Sequence, residues 1–298
     1  MARSRRTASL AGRAVLITGA ARGIGAELAR RAAGRGARVA LVGLEPELLA
    51  AVAAELGPPH LWVEADVTDP DALDAAVQRA VTAFGGLDVV VANAGISALT
   101  TVATSTARAL ARTVEVDLTG AMLTARAALP ALTETRGHLL LVSSAAAFTA
   151  LPGMSAYCAA KAGLERFGDV LRLEVAHRGI TVASAHPLWT DTDLVRDVVT
   201  ALPGFADTLR SMGPLGRTTS VGDCAEALLE NLERRGRRVF VPRWVGVLSA
   251  GRQLFTGAVG ERLALARARV AVPELERDVA ALGDRQFGVH SVESAGPR

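Results

Sequence analysis

Seven short apolar runs, separated by longer Ala/Leu/Arg-rich segments, constrain the fold of this chain more than any other feature. Ala14–Thr18, Arg38–Val42, Leu61–Glu64, Val89–Ala92, His138–Val142, Thr181–Ala185 and Val239–Val241 read as strands. The segments between them have the length and periodicity of helices. Strands alternating with helices predict a doubly wound parallel sheet covered on both faces, a three-layer α/β/α architecture. Val89-Val90-Val91 and Leu139-Leu140-Leu141-Val142 lack polar alternation, as expected of strands buried on both sides. No internal repeat or low-complexity linker divides the pattern, which ends near Val241. The expected organisation is a disordered tail over 1–10, one domain over 11–242 and a partly helical extension over 243–298. Within the extension, Glu261–Val270 and Glu274–Leu282 read as helices and Ser291–Arg298 as disordered.

Half of the 298 residues are hydrophobic but only 4% are aromatic, so alanine, valine and leucine must fill the core. The formal charge of +3 is small. Arg3, Arg5 and Arg6 form the densest basic group, which reads as a solvated tail rather than a nucleic-acid contact. Cys158 and Cys224 are too few for a disulfide framework and match no metal-ligand spacing. There is no run of about 18 uncharged apolar residues and no apolar signal-peptide core. A cytoplasmic protein without a metal site or a nucleic-acid partner is expected.

The turn after the first strand, Thr18-Gly19-Ala20-Ala21-Arg22-Gly23-Ile24-Gly25, opens a helix. Gly19 permits the tight turn, Gly23 lets the backbone approach a phosphate and Gly25 allows close helix packing. The helix amino terminus favours an anionic pyrophosphate, so this end of the sheet is expected to bind a dinucleotide. The acidic residue that would hold a ribose 2′-hydroxyl is missing where the second strand ends, Val42-Gly43-Leu44, and Glu45 stands two positions late. Arg22 offers a partner for a 2′-phosphate, which leans the reading towards NADP(H) over NAD(H). Two alternatives stay open: Glu45 curling back to a hydroxyl, and Arg22 as an ordinary exposed charge.

The only tyrosine, Tyr157, precedes the only lysine, Lys161, by four residues; of 33 basic residues the other 32 are arginine. On a helix, i and i+4 share a face, so both heads can reach one reacting atom. A nearby ammonium favours the phenolate and lowers the phenol's pKa from its usual value of about 10. The bland alternative is a Tyr/Lys pair on a solvated face.

Together with the glycine turn, Asn93-Ala94-Gly95 and Ser144, thirteen residues before Tyr157, make the chain resemble the short-chain dehydrogenase/reductase family over roughly residues 10–242. The resemblance implies a Rossmann-fold, NAD(P)-dependent oxidoreductase acting on CH–OH groups. Tyr157 would be the acid in reduction and the base in oxidation, Lys161 would lower its pKa and hold the nicotinamide ribose, and Ser144 would bond the substrate oxygen. Asp66-Val67 would contact the adenine, with a helix cap as the alternative for Asp66. Asn93, Ala94 and Gly95 would border the cofactor ribose. Pro187, Thr190 and Thr192 would belong to the nicotinamide-amide segment. Ser143 reads as a buried neighbour, and His186 as a strand-end histidine satisfied by local hydrogen bonds.

Two departures stand out. Leu188 replaces the family's glycine, implying an altered backbone. Asp117, in Val116-Asp117-Leu118-Thr119-Gly120, replaces the asparagine that holds a water beside the catalytic lysine. An ionised carboxylate cannot donate, and it would raise the pKa of Lys161 and offset its pull on Tyr157. Rate is put in doubt more than reaction type, and a cofactor-binding but idle sensor or scaffold remains the alternative function. Asp193–Met212 corresponds to the family's substrate lid, and its many apolar residues favour an apolar small-molecule substrate. The helical stretches Ala103–Leu129 and Gly153–His177 correspond to those that pair in homodimers and homotetramers. The extension from Arg243, with Trp244, Val245, Val247, Leu248, Leu254 and Phe255, is expected to pack on the protein rather than on an anionic membrane.

Overall fold

The computed structural model describes residues 9–252 and 257–282; Arg3, Arg5, Arg6, Leu254, Phe255 and Ser291–Arg298 lie outside them. The described residues form a seven-stranded parallel sheet. Its strands are β1 (Ala14–Thr18), β2 (Arg38–Gly43), β3 (Leu61–Glu64), β4 (Val89–Ala92), β5 (His138–Val142), β6 (Thr181–Pro187) and β7 (Arg238–Val241), in the spatial order β3-β2-β1-β4-β5-β6-β7. All seven expected strands occur, with β2 running on to Gly43, β6 to Pro187 and β7 starting one residue early.

Both faces of the sheet are covered, and alternation decides which residue serves which face. Val15, Ile17, Val39, Leu41, Val89, Val91, Leu140 and Val142 pack against α1 (Gly23–Gly34) and α9 (Val221–Arg234). Ala14, Leu16, Ala40, Val42, Val90, Leu139 and Leu141 pack against α3 (Pro70–Phe84), α5 (Ala121–Thr135) and α6 (Ser155–Glu174). Of the remaining helices before β7, α2 is Pro46–Leu56 and α4 is Ala107–Val114, while α7 (Asp193–Ala201) and α8 (Pro203–Ser211) occupy the lid segment. Strand order reverses between β1 and β4, so a crevice opens beyond their carboxyl ends.

Three details depart from expectation. The stretch 103–129 is helical only from Ala107, where the Thr106 hydroxyl accepts from the Ala109 amide at 3.1 Å. It then passes through a π-helical turn, Glu115–Gly120, before α5 begins. The two expected carboxyl-terminal helices are one, α11 (Ala258–Leu282), which continues through Pro273. Proline removes a backbone donor, but Leu275 and Val279 beyond it are buried, and that packing carries the helix on. Leu10, assigned to the tail, is only 3% exposed and joins the core.

Beyond β7, α10 (Val245–Ala250) sets Val245 against Ala145 and Phe148. The later part of α11 lies on α8, and Glu276 accepts from the Thr101 hydroxyl at 2.9 Å. In its earlier part Leu265 and Val270 are exposed. No described helix is long and apolar enough to cross a membrane.

Candidate active site

The crevice is a single cleft, lined from the glycine turn through Asp66-Val67 and Asn93–Gly95 to Ser144, Tyr157, Lys161, Pro187, Thr190 and Thr192. Gly19 and Gly23 adopt φ of +64° and +55°, which L-residues rarely take. A Cβ on Gly19 would lie 2.7 Å from Ala94 Cα, whereas one on Gly23 would meet only Thr192, at 3.5 Å. Gly23 is therefore required for its conformation, and the space above it is open. Gly25 does not line the cleft; its Cβ would fall 2.2 Å from the Gly19 carbonyl oxygen, so it serves helix packing. Asn93 ties the two strand ends together, its Nδ2 donating to the carbonyls of Thr18 at 3.0 Å and Gly19 at 3.1 Å.

At the far end of β2, Arg22 and Glu45 both line the cleft and bond each other, Nη2 to Oε1 at 2.5 Å. The two candidates for discriminating the ribose substituent are thus partners, a juxtaposition their 23-residue separation did not reveal. The cap alternative for Asp66 is overturned: α3 is capped by Asp69, whose Oδ1 accepts from the amides of Asp71 and Ala72. Asp66 instead accepts from the Thr68 amide and hydroxyl, and from Arg112 at 2.9 Å. Burial raises its pKa, but the Thr68 and Arg112 bonds more than offset this and hold it below the ordinary carboxylate value. Arg112 lines the cleft, yet sequence reasoning did not single it out. One arginine among 32 carries no signal, and only its bonds to Thr68 and Asp66 select it.

Tyr157 and Lys161 lie on α6 and face the cleft, with Lys161 Nζ 5.4 Å from the Tyr157 ring centroid. The lysine is 3% exposed, donates to the Val142 carbonyl at 3.2 Å and stands 3.4 Å from Asp117 Oδ2. Asp117 is fully buried in the π-helical turn, behind the cleft wall, and its Oδ1 accepts from the Ile96 amide at 2.7 Å. Gly95 packs on this pair: a Cβ there would be 3.3 Å from Asp117 and 3.4 Å from Lys161.

Burial works against the ammonium, but Asp117 and Tyr157 outweigh it and leave the Lys161 pKa raised. Burial also raises Tyr157; Lys161 and a Ser144 hydrogen bond pull it down, Asp117 pushes it up, and the balance is above the ordinary phenol value. The offset expected from Asp117 is therefore present in direction.

Ser144 follows β5; its hydroxyl donates to the Pro187 carbonyl at 3.4 Å and accepts from the Ala146 amide at 3.2 Å. Ser143 is buried and donates to the Lys161 carbonyl at 2.8 Å. His186 is fully buried, bonded through Nδ1 to the Ser144 carbonyl and through Nε2 to Ser184, and stacked on Phe240; burial lowers its pKa. Leu188 N donates to the Val241 carbonyl at 2.8 Å without left-handed backbone, so this position needs no glycine. Thr190 is 4% exposed, and its carbonyl accepts from the Thr192 amide at 2.7 Å. Cys158 packs as an apolar residue beside Tyr157, its thiol pKa pushed up by burial. Among the described residues no cluster of His, Cys, Asp or Glu suits a metal ion.

The short chain dehydrogenase family model matches residues 13–202. Cis-4-hydroxycyclohexanecarboxylate dehydrogenase of Sinomonas cyclohexanicum is 36% identical over 225 residues, covering 74% of this chain and 89% of its own. 11-beta-hydroxysteroid dehydrogenase 1A of Arabidopsis thaliana is 33% identical over 251 residues, covering 80% and 71%. The crystal structure of a short-chain type dehydrogenase/reductase from Mycobacterium marinum superposes with a TM-score of 0.73 at 27% identity, covering 80% of this chain and 96% of that one.

Proposed function

The chain belongs to the short-chain dehydrogenase family, and from that premise we propose that it interconverts a carbonyl and an alcohol on an apolar small molecule, with Tyr157 exchanging the proton. The observation that carries this reading is the meeting of Lys161, Tyr157 and Ser144 on one wall of the cleft, with the ammonium 5.4 Å from the phenol ring. Ser144 holds the substrate oxygen and Tyr157 gives it a proton in reduction or removes one in oxidation. Lys161 favours the phenolate electrostatically, and the Val142 carbonyl and Asp117 hold it in place. Residues 11–242 form the catalytic domain and 243–298 an extension to it.

The residues fit a nicotinamide dinucleotide, since positive φ at Gly23 leaves open space beside the amino terminus of α1. Such a cofactor supplies or takes up the hydride at the substrate carbon. Gly19, Arg22, Gly23 and Ile24 hold its phosphates, Asp66 and Val67 the adenine, and Asn93, Ala94, Gly95, Tyr157 and Lys161 the riboses. Pro187, Thr190 and Thr192 hold the carboxamide, and Gly25 acts through packing. NADP(H) is the preferred form. The Arg22–Glu45 pair is 22% exposed on both sides, a setting in which an ion pair is worth about 0–1 kcal/mol. Charge-assisted hydrogen bonds from Arg22 to a 2′-phosphate, at about 1.5–3 kcal/mol, outweigh it.

A homo-oligomer is the assembly this surface supports: Met122 on α5 and Val170 and Leu173 on α6 are exposed, on the helices that the family uses for pairing. Replacing Tyr157 by Phe should leave cofactor affinity intact and lower turnover at least about a hundredfold, read by cofactor absorbance with a panel of ketones and alcohols. Normal turnover in Tyr157→Phe would put the proton elsewhere. The idle-protein alternative draws on the carboxylate at Asp117, and no turnover across the panel by the unmutated protein would decide for it.

A further inference from the structure

Arg112 takes no part in the proton exchange described above, yet it lines the cleft from the last turn of α4. Its guanidinium is held as a fork. Nη1 donates to the Thr68 hydroxyl and Nη2 to Asp66 Oδ2, each at 2.9 Å. The Thr68 hydroxyl in turn donates to Asp66 Oδ1 at 2.7 Å, and the Thr68 amide donates to the same oxygen at 2.8 Å. Arginine, threonine and aspartate thus close a ring beyond the carboxyl end of β3. Glu115, 54% exposed, approaches Nη1 to 3.7 Å.

A count of acceptors shows what this ring leaves over. A carboxylate offers about four lone-pair sites. Thr68 takes two on Oδ1 and Arg112 one on Oδ2, so a single site remains, beside the guanidinium. Burial pushes the carboxyl up, but the Thr68 and Arg112 bonds outweigh it and keep Asp66 ionised, able only to accept. Asp66 is 8% exposed and lines the cleft, which is where its last site can be reached. The strand order gives this end its occupant. With a pyrophosphate at the amino terminus of α1 and the nicotinamide half beside Tyr157, the adenosine half is left the β2–β3 side, where Leu44, Asp66, Val67 and Arg112 line the cleft.

We infer that Arg112 is a positioning residue for base recognition: by fixing Asp66 with one acceptor site free, it makes the cleft select a purine that carries an amino group at C6. An amino group brings the N–H that the free site takes. A 6-oxo group in its place turns lone pairs towards the carboxylate, and a site built to accept an N–H rejects it. Without Arg112, Oδ2 loses the one partner it has among the described residues, and the carboxylate is free to turn. Selection is then lost while the rest of the cleft keeps its hold on the dinucleotide. The inference rests on the cofactor assigned under the carbonyl–alcohol reading above.

The test uses the full-length protein and two cofactors that differ only in the 6-substituent of the base: NADPH and its deaminated form, in which hypoxanthine replaces adenine. Dissociation constants come from fluorescence titration, alongside turnover with the panel of ketones and alcohols. The unmutated protein should bind NADPH at least about tenfold more tightly than the deaminated form. Arg112→Met should bring that ratio to within about threefold of one by weakening NADPH, with little change for the deaminated form. Thr68→Val, which keeps the shape and removes the hydroxyl, opens the ring at a second point and should lower the ratio about threefold; it decides the matter if Arg112→Met does not fold. The inference is overturned if the unmutated protein does not distinguish the two cofactors, or if the ratio survives both substitutions. It is also overturned if Arg112→Met weakens both cofactors alike, as loss of a simple brace between α4 and the turn after β3 would. A ratio that collapses as expected, without any turnover, upholds Arg112 and sinks the carbonyl–alcohol reading instead; turnover without a ratio does the reverse.

Discussion

The glycine turn and the lid face each other across one cleft, yet they are held by different kinds of contact. At the turn, backbone meets backbone: a Cβ on Gly25 would lie 2.2 Å from the Gly19 oxygen, and Asn93 bonds the Thr18 and Gly19 carbonyls. At the lid, helix lies on helix through Leu202, Phe205 and Leu209 against Leu275 and Val279, with single polar contacts at Thr101 and Gly204. Backbone contact leaves no residue free to change without changing the shape. Side-chain contact between helices tolerates exchange of apolar residues of similar volume. The same fold can therefore keep one end constant and retune the other.

Breaking the first end should have the largest effect. Gly25→Val places branched carbon where the Gly19 carbonyl already sits, and cofactor affinity should fall more than about a hundredfold, or the protein should fail to fold. Fluorescence titration with NADPH checks this, and an affinity within about threefold of the parent would show that the turn has slack.

Removing residues 243–298 attacks the second end. It uncovers Phe148 by removing Val245 and strips Leu275 and Val279 from α8. Substrate KM should rise about tenfold or the protein aggregate, while cofactor affinity in any soluble product changes little. Salt-sensitive binding of the intact chain to anionic vesicles, lost on the same deletion, would assign the extension to a membrane surface instead.

A smaller change sharpens the comparison within the cofactor end. Arg22→Ala should weaken NADPH about tenfold more than NADH, since only NADPH offers the 2′-phosphate. Equal losses would reduce Arg22 to a general contact, and a preference for NADH in the unmutated protein would point to Glu45.

The smallest effect falls between the two ends, at Asp117. Oxidation needs the phenolate, so its rate rises with pH through the Tyr157 pKa. The Asp117 charge raises that pKa, and Asp117→Asn should move the rising limb to lower pH while retaining the maximal rate. A limb that stays in place, or moves up, would show that Asp117 does not act through charge.

The strands were legible because burial on both faces writes an uninterrupted apolar run, as in Leu139–Val142. The glycine turn was legible because only glycine serves its backbone. Other features depend on partners far along the chain. Asp117 finds the Ile96 amide 21 residues away and sits in a π-helical turn that no local propensity marks. Asp66 resembled a cap because the real cap, Asp69, stands three residues on. The stretch between the two expected helices, which holds Pro273, is itself helical, and only the burial of Leu275 and Val279 shows why the helix goes on.

The seclusion of Lys161 has a practical side. Because the sequence contains one lysine, any acylated or reductively methylated lysine side chain in this protein is Lys161. At 3% exposure, with a carboxylate 3.4 Å away, that amine meets a reagent in solution only by way of the cleft it faces. The rate of its labelling is therefore a gauge of access to the cleft, obtained without installing a probe, and ligands that fill the cleft should slow it.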